Sequence, residues 1–132
     1  MEVIKVTGAI IYERNRFLIC RRGPNEKAAG LWEFPGGKLE INESLENCIL
    51  RELKEELDID AELHSLYDNY SFKAKDVIYD LYFFRIKGFS GILSKTVHDE
   101  IKWVELKDFH NFSFLPGDAP LIKKLEKDSR VL

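Results

Sequence analysis

Short runs of apolar residues bounded by polar turns occupy the first part of the chain and are typical of β-strands. Three segments carry this pattern, namely residues 3–12, 17–20 and 31–34. The polar turn 13–16 lies between the first two segments, which predicts that they pair as a β-hairpin. The polar loop 23–30 precedes the third segment, which predicts a short strand leading into Pro35, Gly36 and Gly37.

A period of three to four residues follows these glycines. It predicts the strongest helix of the chain, beginning at Asn42 or Glu43 and ending at about Leu57. The apolar positions on its core-facing stripe are Leu45, Cys48, Ile49 and Leu53. A second amphipathic segment, residues 119–127, predicts a closing helix.

Segments rich in aromatic and β-branched residues lie between these helices. Residues 61–72 and 77–86 flank the polar stretch 73–76 and predict a second hairpin, and residues 102–104 predict one more strand. Strands mixed with isolated helices are typical of layered architectures. We therefore expect an α/β (α+β) fold with a mixed β-sheet sandwiched between α-helices, as a single domain over residues 1–132.

Composition narrows the function classes. Lys and Arg total 20 against 23 Asp and Glu, and the net charge of −3 argues against broad binding to a nucleic acid polymer. No stretch approaches the roughly 18 apolar residues of a membrane span, and no signal segment opens the chain. Cys20 and Cys48 favour reduced thiols, and His64, His98 and His110 are predicted surface or loop residues. We expect a cytoplasmic monomer, with a dimer as the alternative.

Three glutamates carry the candidate chemistry. The spacing of Glu52, Glu55 and Glu56 places their carboxylates on one face of the predicted helix, where they repel one another. A hard divalent cation relieves this repulsion because it prefers carboxylate oxygens as ligands. The alternative is an ordinary solvated acidic face. Arg51 lies four residues before Glu55 and is placed to hold that carboxylate by a charge-assisted pair.

Residues 37–59 resemble the Nudix box, a loop–helix–loop motif that binds a metal ion and a diphosphate. The fixed positions of the motif are matched at Gly37, Glu43, Arg51, Glu52, Leu53, Glu55, Glu56 and Ile59. The departure is Asp58, where the family usually has Gly just past the helix. Asp tolerates the left-handed backbone of such a position better than most residues, so we expect a slightly strained cap and a working site.

The resemblance implies a hydrolase that depends on Mg²⁺, with Mn²⁺ as the alternative ion, and splits a nucleoside triphosphate into a monophosphate and pyrophosphate. The metal ligands that it implies are the carbonyl of Gly37 and the side chains of Glu52, Glu55, Glu56 and Glu100. Together with Arg51, these glutamates form the implied catalytic set. Either Glu52 or Glu100 is the base that activates water. The alternative for Glu100 is an ordinary surface acid.

Segments 31–38 and 115–120 resemble the MutT-type branch, whose members hydrolyse 8-oxo-dGTP, or CTP and related pyrimidine nucleotides. The substrate-binding residues that this resemblance implies are Arg22, Phe34, Gly36, Lys38 and Asp118. Arg22 matches an arginine that contacts phosphate, and its neighbour Arg21 is expected to face away. Phe34 matches a residue of the base pocket, with a plain core aromatic as the alternative.

Asp118 bears on the choice of base. The 8-oxoguanine-selective enzyme has Asn here, whose amide both donates and accepts, whereas an ionised Asp only accepts and suits the amino group of cytosine. Burial would protonate Asp118 and restore the donor, and capping of the last helix is the alternative role. We expect hydrolysis of oxidised nucleotides such as 8-oxo-dGTP, with CTP, dCTP or 5-methyl-dCTP as the alternative. The rival of another class is a Nudix-like nucleotide sensor without catalysis.

Overall fold

The computed structural model describes residues 1–128, so the last four residues of the predicted domain lie outside the described residues. The chain forms two compact units. The first comprises Met1–Ile11 and Pro35–Thr96, and the second comprises Tyr12–Phe34 and the described residues from Val97 onward. Among residues 1–128, no helix combines the length and the apolar character that crossing a membrane requires.

Eight strands and two α-helices make up the described chain, with two short 3₁₀ helices before the last helix. In chain order they are β1 (Glu2–Ile10), β2 (Tyr12–Glu13), β3 (Arg16–Arg21), β4 (Trp32–Glu33), β5 (Gly36–Lys38), α1 (Leu45–Leu57), β6 (Asp60–Ala74), β7 (Val77–Ser90), β8 (Glu100–Val104), the 3₁₀ helices Leu106–Asn111 and Pro116–Asp118, and α2 (Ala119–Lys127). The predicted second hairpin, the strand at 102–104 and the closing helix are confirmed.

The first unit is built on a mixed sheet with the order β5-β1-β7-β6. β1 runs parallel to β7 and antiparallel to β5, and β6 and β7 form the long predicted hairpin. Gly8 of β1 lies opposite Phe83 in this register, and a Cβ at Gly8 would approach the Phe83 ring to 2.6 Å. The missing side chain therefore lets β1 lie close to a core aromatic ring.

Helix α1 is positioned by its two ends and one apolar stripe. The Ser44 side chain accepts a hydrogen bond from the Asn47 N–H, so the helix begins later than predicted, and Asn42 has a positive φ of 62°. The buried stripe consists of Cys48, Ile49, Leu53 and Leu57. At the other end Asp58 adopts the expected left-handed conformation, with φ 57° and ψ 38°, and its N–H donates to the Lys54 carbonyl.

The second unit contains an antiparallel sheet centred on β3. β2 and β4 pair along one edge of β3, and β8 pairs along the other. The fully buried residues of this unit include Phe17, Leu18 and Ile19 of β3 and Leu121 of α2. Leu125 of α2 is 1% exposed. This core is supplied by the apolar pattern that predicted the strand and the closing helix.

The first predicted hairpin is wrong in its extent. Of the first predicted strand and the turn after it, only Tyr12 and Glu13 pair with β3, through a tight turn in which Arg14 and Asn15 have φ angles of 50° and 68°. β1 does not join them because both of its edges are occupied, by β5 and by β7. The α+β class and the mixed sheet are confirmed, and the strands divide into two sheets. The single domain stays a prediction.

Candidate active site

Helix α1 carries three of the predicted metal ligands. The side chain of Glu52 is 15% exposed, whereas that of Glu55 is 54% exposed. Oε1 of Glu56 accepts a hydrogen bond from the backbone N–H of Gly36 at 3.1 Å. The end of α1 is thereby joined to the glycine turn that precedes it in sequence.

The guanidinium of Arg51 is the cation of this cluster. Its Nη1 donates to Glu52 at 2.9 Å and to Glu55 at 3.1 Å, which confirms the predicted pair with Glu55. Its Nε and Nη2 donate to Glu43 at 2.6 Å and 3.0 Å. No partner for Glu43 was predicted from the sequence, although its fixed position in the motif indicated that this residue has a role. Arg51 therefore orients three carboxylates at once and offsets their mutual repulsion.

These contacts shift the acidities inside the cluster. Hydrogen bonding to Arg51 lowers the pKa of Glu43 to about 2, and hydrogen bonding to Glu43 raises the pKa of Arg51. Burial raises the pKa of Glu52, against the opposing effect of its hydrogen bond with Arg51. A cation beside Glu52 would favour its ionised form and offset the effect of burial.

The glycine turn lies directly against these carboxylates. A Cβ at Gly37 would overlap the carboxylate of Glu52, and a Cβ at Gly36 would overlap the backbone of Thr7 in β1. The Gly37 carbonyl accepts a hydrogen bond from the Thr7 hydroxyl at 3.3 Å. Lys38 is exposed, and its carbonyl accepts from Arg51 at 3.1 Å. Gly36 is therefore required by its close approach to backbone, and a side chain at Gly37 would displace the Glu52 carboxylate.

A divalent cation fits the chemistry of these residues. Their donors are carboxylate and carbonyl oxygens, which hard cations prefer, and the absent side chain of Gly37 lets the Glu52 carboxylate lie directly against the glycine turn. In the arrangement described, Arg51 and the N–H of Gly36 occupy the carboxylates. Accordingly, within residues 1–128 no group of three or more His, Cys, Asp or Glu side chains is arranged so that it could hold a metal ion. Holding one requires these side chains to turn.

The C-terminal end of α1 is fixed by a residue that sequence reasoning missed. The Thr96 hydroxyl lies 2.6 Å from the carbonyl oxygen of Glu55 and 3.0 Å from that of Glu56, and it can donate to either. Carbonyls in the last helical turn have no partner inside the helix, so a side-chain donor satisfies them. Thr96 thereby secures the turn that carries two of the three carboxylates. No feature of the local sequence signals this contact.

In the second unit, Arg22 is held by acidic and backbone oxygens. Its Nη1 donates to the Glu33 carboxylate at 3.0 Å, and its Nε donates to the Lys27 carbonyl at 2.6 Å. His98 lies 3.0 Å from the same Glu33 carboxylate through Nε2. His98 lies in the loop before β8, as one of the two predicted placements has it, but it is not a surface residue, because only 6% of it is exposed. A buried carboxylate bound from two sides explains that burial.

Asp118 is buried against β4, with 8% exposed. Its Oδ2 accepts a hydrogen bond from the Phe34 N–H at 3.2 Å. Although Asp118 precedes α2, its side chain makes no capping hydrogen bond within the described residues, so the capping alternative is wrong. Burial raises the pKa of Asp118 to about 7, opposed by the Phe34 hydrogen bond, while Glu33 adds to the rise and Arg22 counters it. The neutral form is therefore populated near neutral pH.

Phe34 lies within an aromatic cluster of the second unit. It is 4% exposed, and its ring stacks on Phe114 with 6.1 Å between centroids. The Phe109 ring lies at the same centroid distance. This placement agrees with the core alternative, and the pocket role stays a prediction.

Glu100 begins β8 opposite Arg21 of β3. Its carboxylate lies 3.3 Å from the Arg21 guanidinium and 3.8 Å from Lys102, with 34% of its side chain exposed. Arg21 also pairs with Asp99 and lies over the ring of Trp32. The Arg21 side chain, which was expected to face away, thus takes part in ion pairs with Asp99 and Glu100 at the end of β3. The metal or base role of Glu100 stays a prediction.

Comparison with known proteins gives a consistent result. The NUDIX domain family matches residues 3–125. The chain is 32% identical to the CTP pyrophosphohydrolase of Escherichia coli K12 over 123 residues, covering 93% of this chain and 91% of that protein. It is 31% identical to the 8-oxo-dGTP diphosphatase of the same organism over 120 residues, covering 91% and 93%. The structure of a MutT protein from Methanosarcina mazei aligns with a TM-score of 0.87 at 25% identity, covering 98% and 96%.

Proposed function

The chain belongs to the NUDIX domain family as a hydrolase of the MutT type, and from this premise we propose that it converts a nucleoside triphosphate into a monophosphate and pyrophosphate. The observation that carries the proposal is the cluster of Glu52, Glu55 and Glu56 on α1, beside a glycine whose missing side chain leaves room at Glu52. A solvated acidic face does not need that close approach. The cluster supports catalysis over the rival of a ligand sensor.

The residues divide the work between binding and proton transfer. The carbonyl of Gly37 and the side chains of Glu52, Glu55, Glu56 and Glu100 would hold Mg²⁺, or Mn²⁺ in its place. When bound, the cation supplies neutralisation of phosphate charge and a lower pKa for water. Either Glu52 or Glu100 accepts the proton from the attacking water at a carboxylate oxygen. Arg51 keeps the carboxylates of α1 oriented for these roles.

We assign substrate recognition to Arg22, Phe34 and Asp118 of the second unit, and to Gly36 and Lys38 of the first. The planar guanidinium of Arg22 matches phosphate oxygens, and Gly36 and Lys38 are further proposed contacts to the anion. Phe34 lines the base site, and Asp118 reads the base edge. A pKa of about 7 lets Asp118 present either a donor or an acceptor near neutral pH. This favours 8-oxo-dGTP, which needs the donor.

Hydrolysis of CTP, dCTP or 5-methyl-dCTP is the second candidate. An ionised Asp118 accepts from the amino group of cytosine, and the relative that is 32% identical is a CTP pyrophosphohydrolase. Both candidates share one reaction and differ in the base. The cytoplasmic location, the monomeric state and the single domain remain predictions.

A panel of nucleoside triphosphates tests the proposal. Wild-type protein is assayed with Mg²⁺ on 8-oxo-dGTP, dGTP, CTP, dCTP and 5-methyl-dCTP, and kcat/KM is compared because specificity lies in that ratio. We expect monophosphate and pyrophosphate as products, and 8-oxo-dGTP preferred over dGTP. Binding of these nucleotides without turnover would contradict the proposal and support the sensor. A preference for the cytosine nucleotides would select the second candidate.

A further inference from the structure

The hydrogen bond to Glu33 satisfies only one of the two ring nitrogens of the buried His98. Its side chain is 1% exposed, and its Nε2 lies 3.0 Å from Oε2 of Glu33. Within residues 1–128, Nδ1 is buried and has no hydrogen-bond partner. An apolar side chain of similar size would fill the same space without leaving a polar atom unsatisfied. The histidine therefore costs stability at this position, and such a cost points to a role.

The chemistry of Glu33 identifies what His98 contributes. A carboxylate only accepts hydrogen bonds, so the nitrogen that faces it carries the proton and Nε2 donates. Glu33 accepts hydrogen bonds from both His98 and Arg22. Nη1 of Arg22 lies 3.0 Å from one carboxylate oxygen and 3.2 Å from the other. Only 15% of the Glu33 side chain is exposed. His98 thus binds Oε2 of Glu33, the oxygen that also lies 3.2 Å from Nη1 of Arg22, and holds the carboxylate in its contact with the guanidinium.

Arg22 in turn has its orientation set by this carboxylate. Its Nε is committed to the Lys27 carbonyl at 2.6 Å, and its Nη2 lies 3.4 Å from Glu26. Glu33 accepts hydrogen bonds from Nη1, and these are the shortest contacts that the guanidinium makes with a carboxylate. A shift of Glu33 would therefore let the guanidinium rotate about the hydrogen bond from its Nε to the Lys27 carbonyl.

We propose that His98 is a positioning residue that, through Glu33, fixes the guanidinium of Arg22 in the orientation that binds the anionic part of the substrate. The proposal rests on the proposed function, since it assigns Arg22 to the nucleotide. It adds a residue that lies outside the segment 37–59 and that was predicted from the sequence as a surface or loop residue. His98 acts on substrate binding, so its loss raises KM and leaves the chemical step in place.

Two replacements of His98 separate the hydrogen bond from the packing. The amide nitrogen of a glutamine reaches the place of Nε2 and can donate to Glu33, whereas the amide of an asparagine ends near the place of Nδ1 and cannot. With CTP and 8-oxo-dGTP as substrates, we expect His98→Asn to raise KM about tenfold, with kcat within about threefold of wild type. His98→Gln should stay within about threefold of the wild-type KM. His64→Asn, an exposed histidine of β6, is the matched control.

A double-mutant cycle tests whether His98 acts through Arg22. If it does, His98→Asn added to Arg22→Ala raises KM no further than Arg22→Ala alone. Additive effects on KM, a fall confined to kcat, or equal KM values for the Gln and Asn variants would each overturn the positioning role while leaving the proposed function intact. Absence of turnover by wild-type protein on either nucleotide would overturn both. Thermal unfolding of each variant establishes that the compared proteins are folded, and Glu33→Gln provides a second perturbation, expected to raise KM as His98→Asn does.

Discussion

Replacing Asp118 by asparagine removes a buried acid whose charge the fold opposes. The residue is 8% exposed, and burial raises the pKa of its carboxyl from 3.8 to about 7. Asparagine has the same shape, is neutral at every pH, and its carbonyl oxygen can still accept from the Phe34 N–H. The variant therefore isolates the charge of Asp118 from its packing.

The sign of the effect follows from proton linkage. A folded pKa above the unfolded one means that the native state retains a proton which the unfolded chain releases near pH 3.8. The stability from this group is fully present below that pH and is lost as the pH rises to about 7. The difference between the two pKa values corresponds to about 4 kcal/mol, at about 1.4 kcal/mol for each tenfold change in proton affinity. Asp118→Asn should gain that amount relative to wild type between pH 4 and pH 8.

Urea unfolding at steps from pH 4 to pH 8 measures this gain. The free energy of unfolding of each protein is compared at each pH, so that every other titrating group cancels. Asp76→Asn, at an exposed turn of the β6–β7 hairpin, is the control for loss of a surface carboxylate. A stability difference between Asp118→Asn and wild type that does not change with pH would refute the reasoning.

The same titration should appear in substrate choice. If Asp118 reads the base as proposed, its protonated form donates to 8-oxoguanine and its ionised form does not, so the ratio of kcat/KM for 8-oxo-dGTP over CTP should fall in wild type between pH 6.5 and pH 8.5. In Asp118→Asn that ratio should stay constant, because the amide keeps its donor. Equal pH dependence in both proteins would remove Asp118 from base reading.

Two backbone positions give further predictions. Gly37→Ala should lower kcat/KM by about 10²-fold or more while the protein stays folded, because its Cβ overlaps the Glu52 carboxylate. The control is Gly88→Ala, where a Cβ meets nothing within 4 Å among the described residues, and this variant should retain activity. Equal activity of the two variants would contradict the close approach of Gly37 to Glu52. Asp58→Gly should raise the free energy of unfolding by about 1 kcal/mol because glycine adopts the left-handed cap without a steric penalty, and an unchanged urea midpoint would show that the cap is unstrained.

Local patterns were sufficient for much of the fold. The helix α2 and the β6–β7 hairpin follow from periodicity within one segment and a turn, so the sequence predicts them directly. The partners of β1 could not be predicted in this way, because its parallel pairing with β7 joins segments far apart in the chain. Nothing in residues 1–12 distinguishes a strand that is paired on both edges from one that forms a local hairpin.

The candidate site divides along the same line. The four-residue spacing of Arg51 and Glu55 predicted their contact, because helical geometry brings residues three and four apart together, whereas the contact of Arg51 with its neighbour Glu52 was not predicted. His98 was missed because its burial depends on Glu33, which is 65 residues away in the chain. A histidine within a polar segment carries no mark of a distant carboxylate that binds it.

The central claim is that the carboxylates at the end of α1 support hydrolysis of a nucleoside triphosphate. The most direct test compares wild type with Glu56→Gln, which keeps the size of the side chain and an oxygen that can accept from the Gly36 N–H. With Mg²⁺ present, phosphate released from the pyrophosphate product by added pyrophosphatase should fall by about 10²-fold or more, with an unchanged unfolding midpoint. Near-normal turnover by the folded variant would contradict the claim.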